Sequence, residues 1–229
     1  TCLIETKKIY YNKKKYLNVS TCAGIVKVKP NFNKKILNSI TFINSNSFAL
    51  DYIMKINIRK HRNIEVSFAY GGLWYMLIDS KKLKTKILKK NLNYFITIGK
   101  EIRQIVNTKL KKIKNIEKLP NKIPQTLFYE NINKKLGKNF VTSDELGFDR
   151  SPCGTGSCAR LALLYKQNLL KENTFYFQKS IINTTFKTRI VAVNNKKEIS
   201  PEITGSAFIT GFNKIYIDPR DKIKNGFFW

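Results

Sequence analysis

The stretch Phe148-Asp149-Arg150-Ser151-Pro152-Cys153-Gly154-Thr155-Gly156-Ser157-Cys158-Ala159-Arg160-Leu161 decides how the rest of the chain is read. After its glycines, Cys158, Ala159, Leu161, Ala162, Leu163, Leu164 and Tyr165 are apolar around nearly the whole helical circumference, which predicts a buried helix starting near Thr155. Cys153 then stands at the helix N-terminus. Free backbone N–H groups and the positive end of the helix dipole stabilise a thiolate there, and can also bind a carboxylate. This position predicts a Cys153 pKa below the usual value of about 8.5. Gly154 and Gly156 allow close backbone approach to an anion, and Asp149 offers a carboxylate to an ammonium group. A base, an anion nest and a cation partner in one loop suit removal of a proton from the α-carbon of an amino acid without a cofactor.

Outward from this loop the dominant period is two. Met54, Ile56 and Ile58 alternate with polar residues, as do Ile64, Val66 and Phe68 after the polar turn His61-Arg62-Asn63, so an antiparallel hairpin is expected with His61 solvated at its turn. Phe95, Ile98, Ile102 and Ile105 follow helical spacing within 91–111, opposite a Lys-rich face. Residues 111–124 read as a connector broken by Pro120 and Pro124, and strand-like runs resume near Thr126 and from Phe175 to the C-terminus.

With 229 residues, 42% hydrophobic and 12% aromatic, the chain can bury a sizeable core, which argues against disorder. Its longest uncharged apolar run, Val66 to Ile78, is interrupted by Gly71 and Gly72 and falls short of the roughly 18 residues that a spanning helix needs. Neither a membrane partner nor a secretory signal is expected, and a cytoplasmic location follows. Forty-three basic against fifteen acidic residues give a net charge of +28, which by itself points to nucleic acid. The composition argues otherwise: 36 of the basic residues are Lys and seven are Arg, beside 24 Asn and 29 Ile, all three abundant types having AT-rich codons. Bases are read chiefly by Arg, and the lysines are scattered in doublets such as Lys7-Lys8 and Lys196-Lys197, so no specific nucleic-acid partner is expected. Cysteines at 2, 22, 153 and 158 form no Cys-x-x-Cys pair and share the chain with the lone His61, so neither a zinc site nor a metal of any kind is expected.

The motif resembles that of the proline racemase and 4-hydroxyproline 2-epimerase family, Asp-Arg-Ser-Pro-Cys-Gly-Thr-Gly-Thr-Ser-Ala. The match is residue for residue from Asp149 to Gly156, and continues through Ala159, Leu163 and Tyr165 with Ser157 and Cys158 replacing the family's Thr and Ser. Collinear segments at 180–182, 202–205, 207–211, 218–221 and 226–227, together with Ala69-Tyr70-Gly71-Gly72 and Thr21-Cys22-Ala23-Gly24 upstream, extend the resemblance over the chain. It implies an α/β (α+β) protein of the diaminopimelate epimerase-like fold: two similar domains, each a curved, mostly antiparallel sheet around a central helix, with substrate between them. It implies an isomerase in which Cys153 is one of two cysteines working on opposite faces of one α-carbon. Asp149 would hold the imino-acid nitrogen, the N–H groups of Gly154 and Thr155 would hold the carboxylate, and Gly205 would lie near the site. No cofactor is implied, the partner is a small imino acid, and a homodimer is a candidate assembly.

The departures shape the remaining expectations. The family's first cysteine sits in Met-Cys-Gly-His before a helix ending Thr-x-x-Ile-Glu-Thr, a pattern that Thr1-Cys2-Leu3-Ile4-Glu5-Thr6 fits, so that cysteine is expected upstream of Thr1 in an N-terminally truncated first domain. Cys2, Cys22 and Cys158 are then expected to be small buried hydrophobes, leaving Cys153 the most reactive thiol. Residues 1–70 are expected to be the remnant of the first domain, 71–215 the Cys153 domain, and 216–229 a segment packing back on the first. Ser143 occupies a position that is aromatic in proline-specific relatives, and could accept a ring hydroxyl of hydroxyproline. Besides the racemase or epimerase, two alternatives stand: a trans-3-hydroxyproline dehydratase, which typically has Thr in place of Cys153, and an inactive remnant or basic binding protein.

Overall fold

Strands dominate the structure, a computed structural model that describes residues 1–11, 16–21, 24–59, 61–144 and 147–226. In chain order the elements are α1 (Cys2–Glu5), β1 (Leu17–Thr21), β2 (Gly24–Asn33), β3 (Ile36–Ile43), β4 (Phe48–Ile58), β5 (His61–Tyr70), β6 (Trp74–Asp79), α2 (Leu92–Leu110), β7 (Gln125–Asn133), β8 (Leu136–Thr142), α3 (Gly154–Lys166), β9 (Tyr176–Lys179), β10 (Thr185–Val193) and β11 (Ile199–Gly205). Among the described residues the eleven strands form one sheet in the order β1-β2-β3-β11-β10-β9-β8-β7-β6-β5-β4. Neighbours are antiparallel except β6 with β7 and β8 with β9. A parallel pair cannot be closed by a tight turn. The two long helices supply the crossovers, α2 between β6 and β7 and α3 between β8 and β9.

Because the helices cover opposite faces, the strands between them are apolar on both sides. Phe68, Met76, Ile78, Phe128 and Phe140 pack with Phe95, Ile98, Ile102 and Val106 of α2. Their neighbours Ala69, Tyr75, Leu77, Leu127 and Val141 face the other way, onto Ala159 and Leu163 of α3. The far side of α3 (Leu161, Ala162, Leu164) meets Tyr176, Ile190 and Ile199 of β9, β10 and β11. Enclosed on all sides, α3 has no polar face to offer solvent, as its sequence predicts. The expected hairpin is β4–β5, in the register Met54↔Val66 and Ile56↔Ile64. Its turn falls before His61, which opens β5 and whose Nε2 lies 3.0 Å from the Tyr94 hydroxyl.

The sheet runs without a break past residue 70: β5 pairs with β6, and β4 and β5 contribute to the same cores as the Cys153 region. Residues 206–226 form no strand, although strand-like sequence continues there, because their alternating apolar residues find no partner strand among the described residues; Phe208, Phe212, Ile215 and Ile217 are exposed. Residues 216–226, expected to pack back on the first unit, are exposed almost throughout. Cys2 also departs from expectation: α1 is a single turn with no buried residue, and Cys2 is exposed. Cys158 is buried as expected, and Cys22 lies outside the described residues.

The β5–β6 turn fixes how closely α3 can approach. A Cβ on Gly71 would be driven into the carbonyl of Thr155 and the amide of Ala159, so the turn lies directly on the first turn of α3. Gly72 completes it at φ +103°, a conformation that side chains rarely adopt.

Candidate active site

The loop before α3 is built from its own side chains. Asp149 N–H donates to the Val141 carbonyl at 3.1 Å, tying the loop to β8. Asp149 Oδ1 accepts from Ser151 N–H at 2.8 Å, and Ser151 Oγ accepts from Cys153 N–H at 3.0 Å. The chain then turns sharply at Cys153 (φ 66°, ψ 120°), the residue capping α3, in a conformation that costs a non-glycine residue about 1–3 kcal/mol. The helical ladder opens with Ser157 N–H to the Cys153 carbonyl at 2.8 Å. The amides of Gly154, Thr155 and Gly156 therefore precede the ladder at the positive end of the helix.

Beneath the loop a buried polar network holds it in place. Asn139 Nδ2 donates to Gln178 Oε1 (2.5 Å), Ser157 Oγ donates to the Pro152 carbonyl (3.1 Å), and Gln178 Nε2 donates to the Ser157 carbonyl (3.2 Å) and Thr188 Oγ1 (3.1 Å). On the opposite face of the sheet, Arg103 of α2 bonds Thr142 Oγ1 (2.7 Å) and, at the end of β8, the Ser143 carbonyl (2.6 Å) and Asp144 (3.2 Å). Buried and ion-paired, this guanidinium fixes the strand end from which Ser143 faces the cleft. Gly99 clears its path, since a Cβ there would meet Thr142 Oγ1 and Arg103 Nη1.

These elements line a cleft of about 920 Å³. It brings together Cys153, Asp149, Thr155 and Ser143 of the expected site residues, with Tyr75, Arg150 and Phe186. Gly154 sits beside them, and a Cβ there would touch nothing, so packing does not require the glycine. Gly156 has a different role from the expected one: a Cβ would lie 3.1 Å from Cys153 Sγ and 3.0 Å from Leu127, so it makes room for the sulfur rather than for a ligand. Ser143 Oγ is 3.4 Å from the Gly147 carbonyl of its own turn. Gly205 lies just before the cleft-lining Ser206 and leaves space for the ring of Phe186.

The thiol itself corrects an expectation. Cys153 is only 8% exposed, and its pKa is raised rather than lowered: burial is the largest cause, and the Asp149 charge adds to it. The Tyr75 hydroxyl and the Gly156 amide oppose this without overcoming it. The helix-terminal position was visible in sequence, whereas the depth of the sulfur was not. Cys158, fully buried, is pushed up to about 12, again by burial. Limited alkylation at neutral pH followed by peptide mapping should therefore label exposed Cys2 first, Cys153 more slowly and Cys158 last. Faster labelling of Cys158 than of Cys153 would contradict the placement of α3.

Tyr75, Arg103, Asn139 and Gln178 were not singled out in the sequence. Asn139 and Gln178 carried a weak signal, polar residues on strands among buried apolar ones; Tyr75 lay hidden in the run Trp74–Asp79 and Arg103 among the charges of α2. Among the described residues, no group of three or more His, Cys, Asp or Glu is placed to hold a metal ion, and no helix is long and apolar enough to cross a membrane.

A curved, mostly antiparallel sheet wrapped round a buried helix, with a cleft at that helix's N-terminus, defines the diaminopimelate epimerase-like fold. The sequence model of the proline racemase family matches residues 1–228, and the chain belongs to that family. It is similar to a proline racemase of Acetoanaerobium sticklandii, 33% identical over 217 residues that make up 92% of this chain and 65% of the relative. It is also similar to a trans-3-hydroxy-L-proline dehydratase of Bacillus cereus, 29% identical over 220 residues, 94% of this chain and 65% of that protein. Among solved structures, a hydroxyproline epimerase from Agrobacterium vitis with bound trans-4-hydroxy-L-proline superposes with a TM-score of 0.83 at 25% identity, covering all of this chain and 67% of the other. The chain thus spans slightly less than two thirds of the length of these curated relatives, at 65%.

Proposed function

We propose that Cys153 is one of two acid/base groups of a cofactor-independent racemase or epimerase that inverts the α-carbon of proline or hydroxyproline. The observation that carries this reading is the thiol of the residue capping α3, which lines the cleft together with Asp149 and Thr155 at the end of the helix where the Gly154 and Thr155 amides precede the ladder. An α-amino acid has the complementary charges: its ammonium matches Asp149, its carboxylate matches the amides, and its α-hydrogen is left over the sulfur. As negative charge builds on the carboxylate during proton removal, the amides and the helix end stabilise it. The elevated Cys153 pKa fits the same order of events. An ammonium seated against Asp149 cancels the repulsion that this carboxylate exerts on the thiolate, so the thiol ionises more readily once substrate is bound.

The proton returned to the opposite face needs a second group, and among the described residues no other cysteine lines the cleft. We assign that group to polypeptide outside these 229 residues, in keeping with the greater length of the relatives. Ser143 on the cleft wall leaves room and an acceptor for a ring hydroxyl, which favours hydroxyproline over proline. The dehydratase relative makes loss of water the competing reaction.

The test uses a protein extended to the relatives' full length, given single stereoisomers of proline and of 4- and 3-hydroxyproline. The other epimer is the expected product, and a dehydrated product would instead establish the dehydratase. Asp149→Asn should weaken binding about tenfold to a hundredfold by removing the charge opposite the ammonium. If the folded protein produces neither compound, the assignment of an imino-acid substrate fails.

A further inference from the structure

The floor of the cleft carries two hydroxyls that the acid/base reading above leaves unused. Tyr75, on β6 and 1% exposed, has its hydroxyl 3.3 Å from Cys153 Sγ and 2.6 Å from Thr155 Oγ1. Cys153 Sγ and Thr155 Oγ1 are 4.0 Å apart, so Tyr75 is the link between them. Each hydroxyl has one proton to donate and lone pairs to accept with. Two arrangements are therefore open to the same heavy atoms. In one, Thr155 donates to Tyr75 and Tyr75 donates to the sulfur, which suits a thiolate. In the other, the S–H donates to Tyr75 and Tyr75 donates to Thr155, which suits a thiol.

We propose that Tyr75, backed by Thr155, is a positioning residue that serves Cys153 in both protonation states, donating to the thiolate and accepting from the thiol by reversal of the two hydroxyls. Its purpose rests on the acid/base reading, because a group that takes a proton in one direction of an inversion and returns it in the other needs a partner in both states; of the two bonds, the one donated to the charged thiolate is the stronger. A fixed cation in that place would favour the thiolate alone. The phenol keeps its own proton throughout: burial first, and the adjacent Cys153 charge next, hold its ionisation far above the ordinary range. The other titratable groups facing Cys153 are Asp149 in the preceding loop and Cys158 on α3, with Arg150 on the cleft wall; β7 and β8 present Leu127 and Val141.

The experiment is the pH profile of Cys153 alkylation by iodoacetamide in the 229-residue chain, read by peptide mapping with exposed Cys2 as internal reference. Tyr75→Phe should raise the Cys153 midpoint by about one pH unit, making alkylation below it about tenfold slower, with the Cys2 rate unchanged. Thr155→Val should move the midpoint the same way by less, and Thr155→Ser should restore it. An unmoved midpoint in folded Tyr75→Phe protein overturns the proposal. Should that variant fail to fold, identical profiles for Thr155→Val and Thr155→Ser overturn it instead. Alkylation is read at the sulfur without turnover, so its outcome is separate from whether the full-length protein inverts an imino acid.

Discussion

Cys153→Ser is expected to abolish inversion in the full-length protein while leaving its fold intact. Serine keeps the size and the hydrogen-bonding sites of the residue, so the capping turn, the Ser151 contact to its amide and the packing of Gly156 are undisturbed. What is lost is acidity. A thiol can exist as thiolate at workable cost even when burial raises its pKa, whereas a serine hydroxyl is far too weakly acidic to ionise near neutral pH, with the Asp149 carboxylate beside it disfavouring the anion further. Removal of a positioned proton-transfer group costs about a hundredfold to ten-thousandfold in rate. In deuterated water the parent protein should place deuterium at the α-carbon of the product, and the variant should place none. Inversion by Cys153→Ser within tenfold of the parent, at equal melting temperature, would remove Cys153 from the mechanism.

Gly71→Val should have the largest effect on the fold. The new side chain would be aimed into backbone atoms of α3, the Thr155 carbonyl and the Ala159 amide, rather than at a flexible side chain that could swing away. Overpacking of that kind costs about 3 kcal/mol or more, and relief requires moving β6 away from the helix. Tyr75 travels with β6, so the chain should lose both melting temperature and the Cys153 alkylation profile together. By contrast Gly154→Ala, whose Cβ would meet nothing, should leave the melting temperature unchanged and act, if at all, on substrate affinity. Equal thermal stability of Gly71→Val and the parent, measured by circular dichroism, would refute the close contact.

What the sequence disclosed follows from how local each signal is. The burial of α3 was legible because apolar residues occupy all of its sides from Cys158 to Leu164, and α2 because Phe95, Ile98 and Ile102 recur on one face. The β4–β5 hairpin could be read from alternation alone, although its turn was misplaced by the polar residues that open β5. The loop from Asp149 to Cys153 was legible as a site because its parts are adjacent in the chain. The supports of that loop were not, since Asn139 and Gln178 meet only once β8 and β9 are paired, and Arg103 acts from the far side of the sheet. The direction of the Cys153 shift was misread for a related reason: a helix terminus is a local feature, but burial depends on everything folded over it. Cys2 erred in the opposite sense, as a helical pattern suggested cover that the one-turn α1 does not have.

The uncovered end of the molecule changes how the net charge of +28 should be understood. Among the described residues β1 is the last strand at one border of the sheet, and Phe208, Phe212, Ile215 and Ile217 are exposed, the kind of apolar surface to which other copies of a chain adhere. Mutual repulsion among so many lysines opposes that adhesion, but it reaches only about 10 Å in 0.1 M salt. Dilute buffer should therefore keep the molecules apart and added salt should let these exposed apolar side chains meet, the sense opposite to salting-in, so light scattering is expected to rise along a salt series.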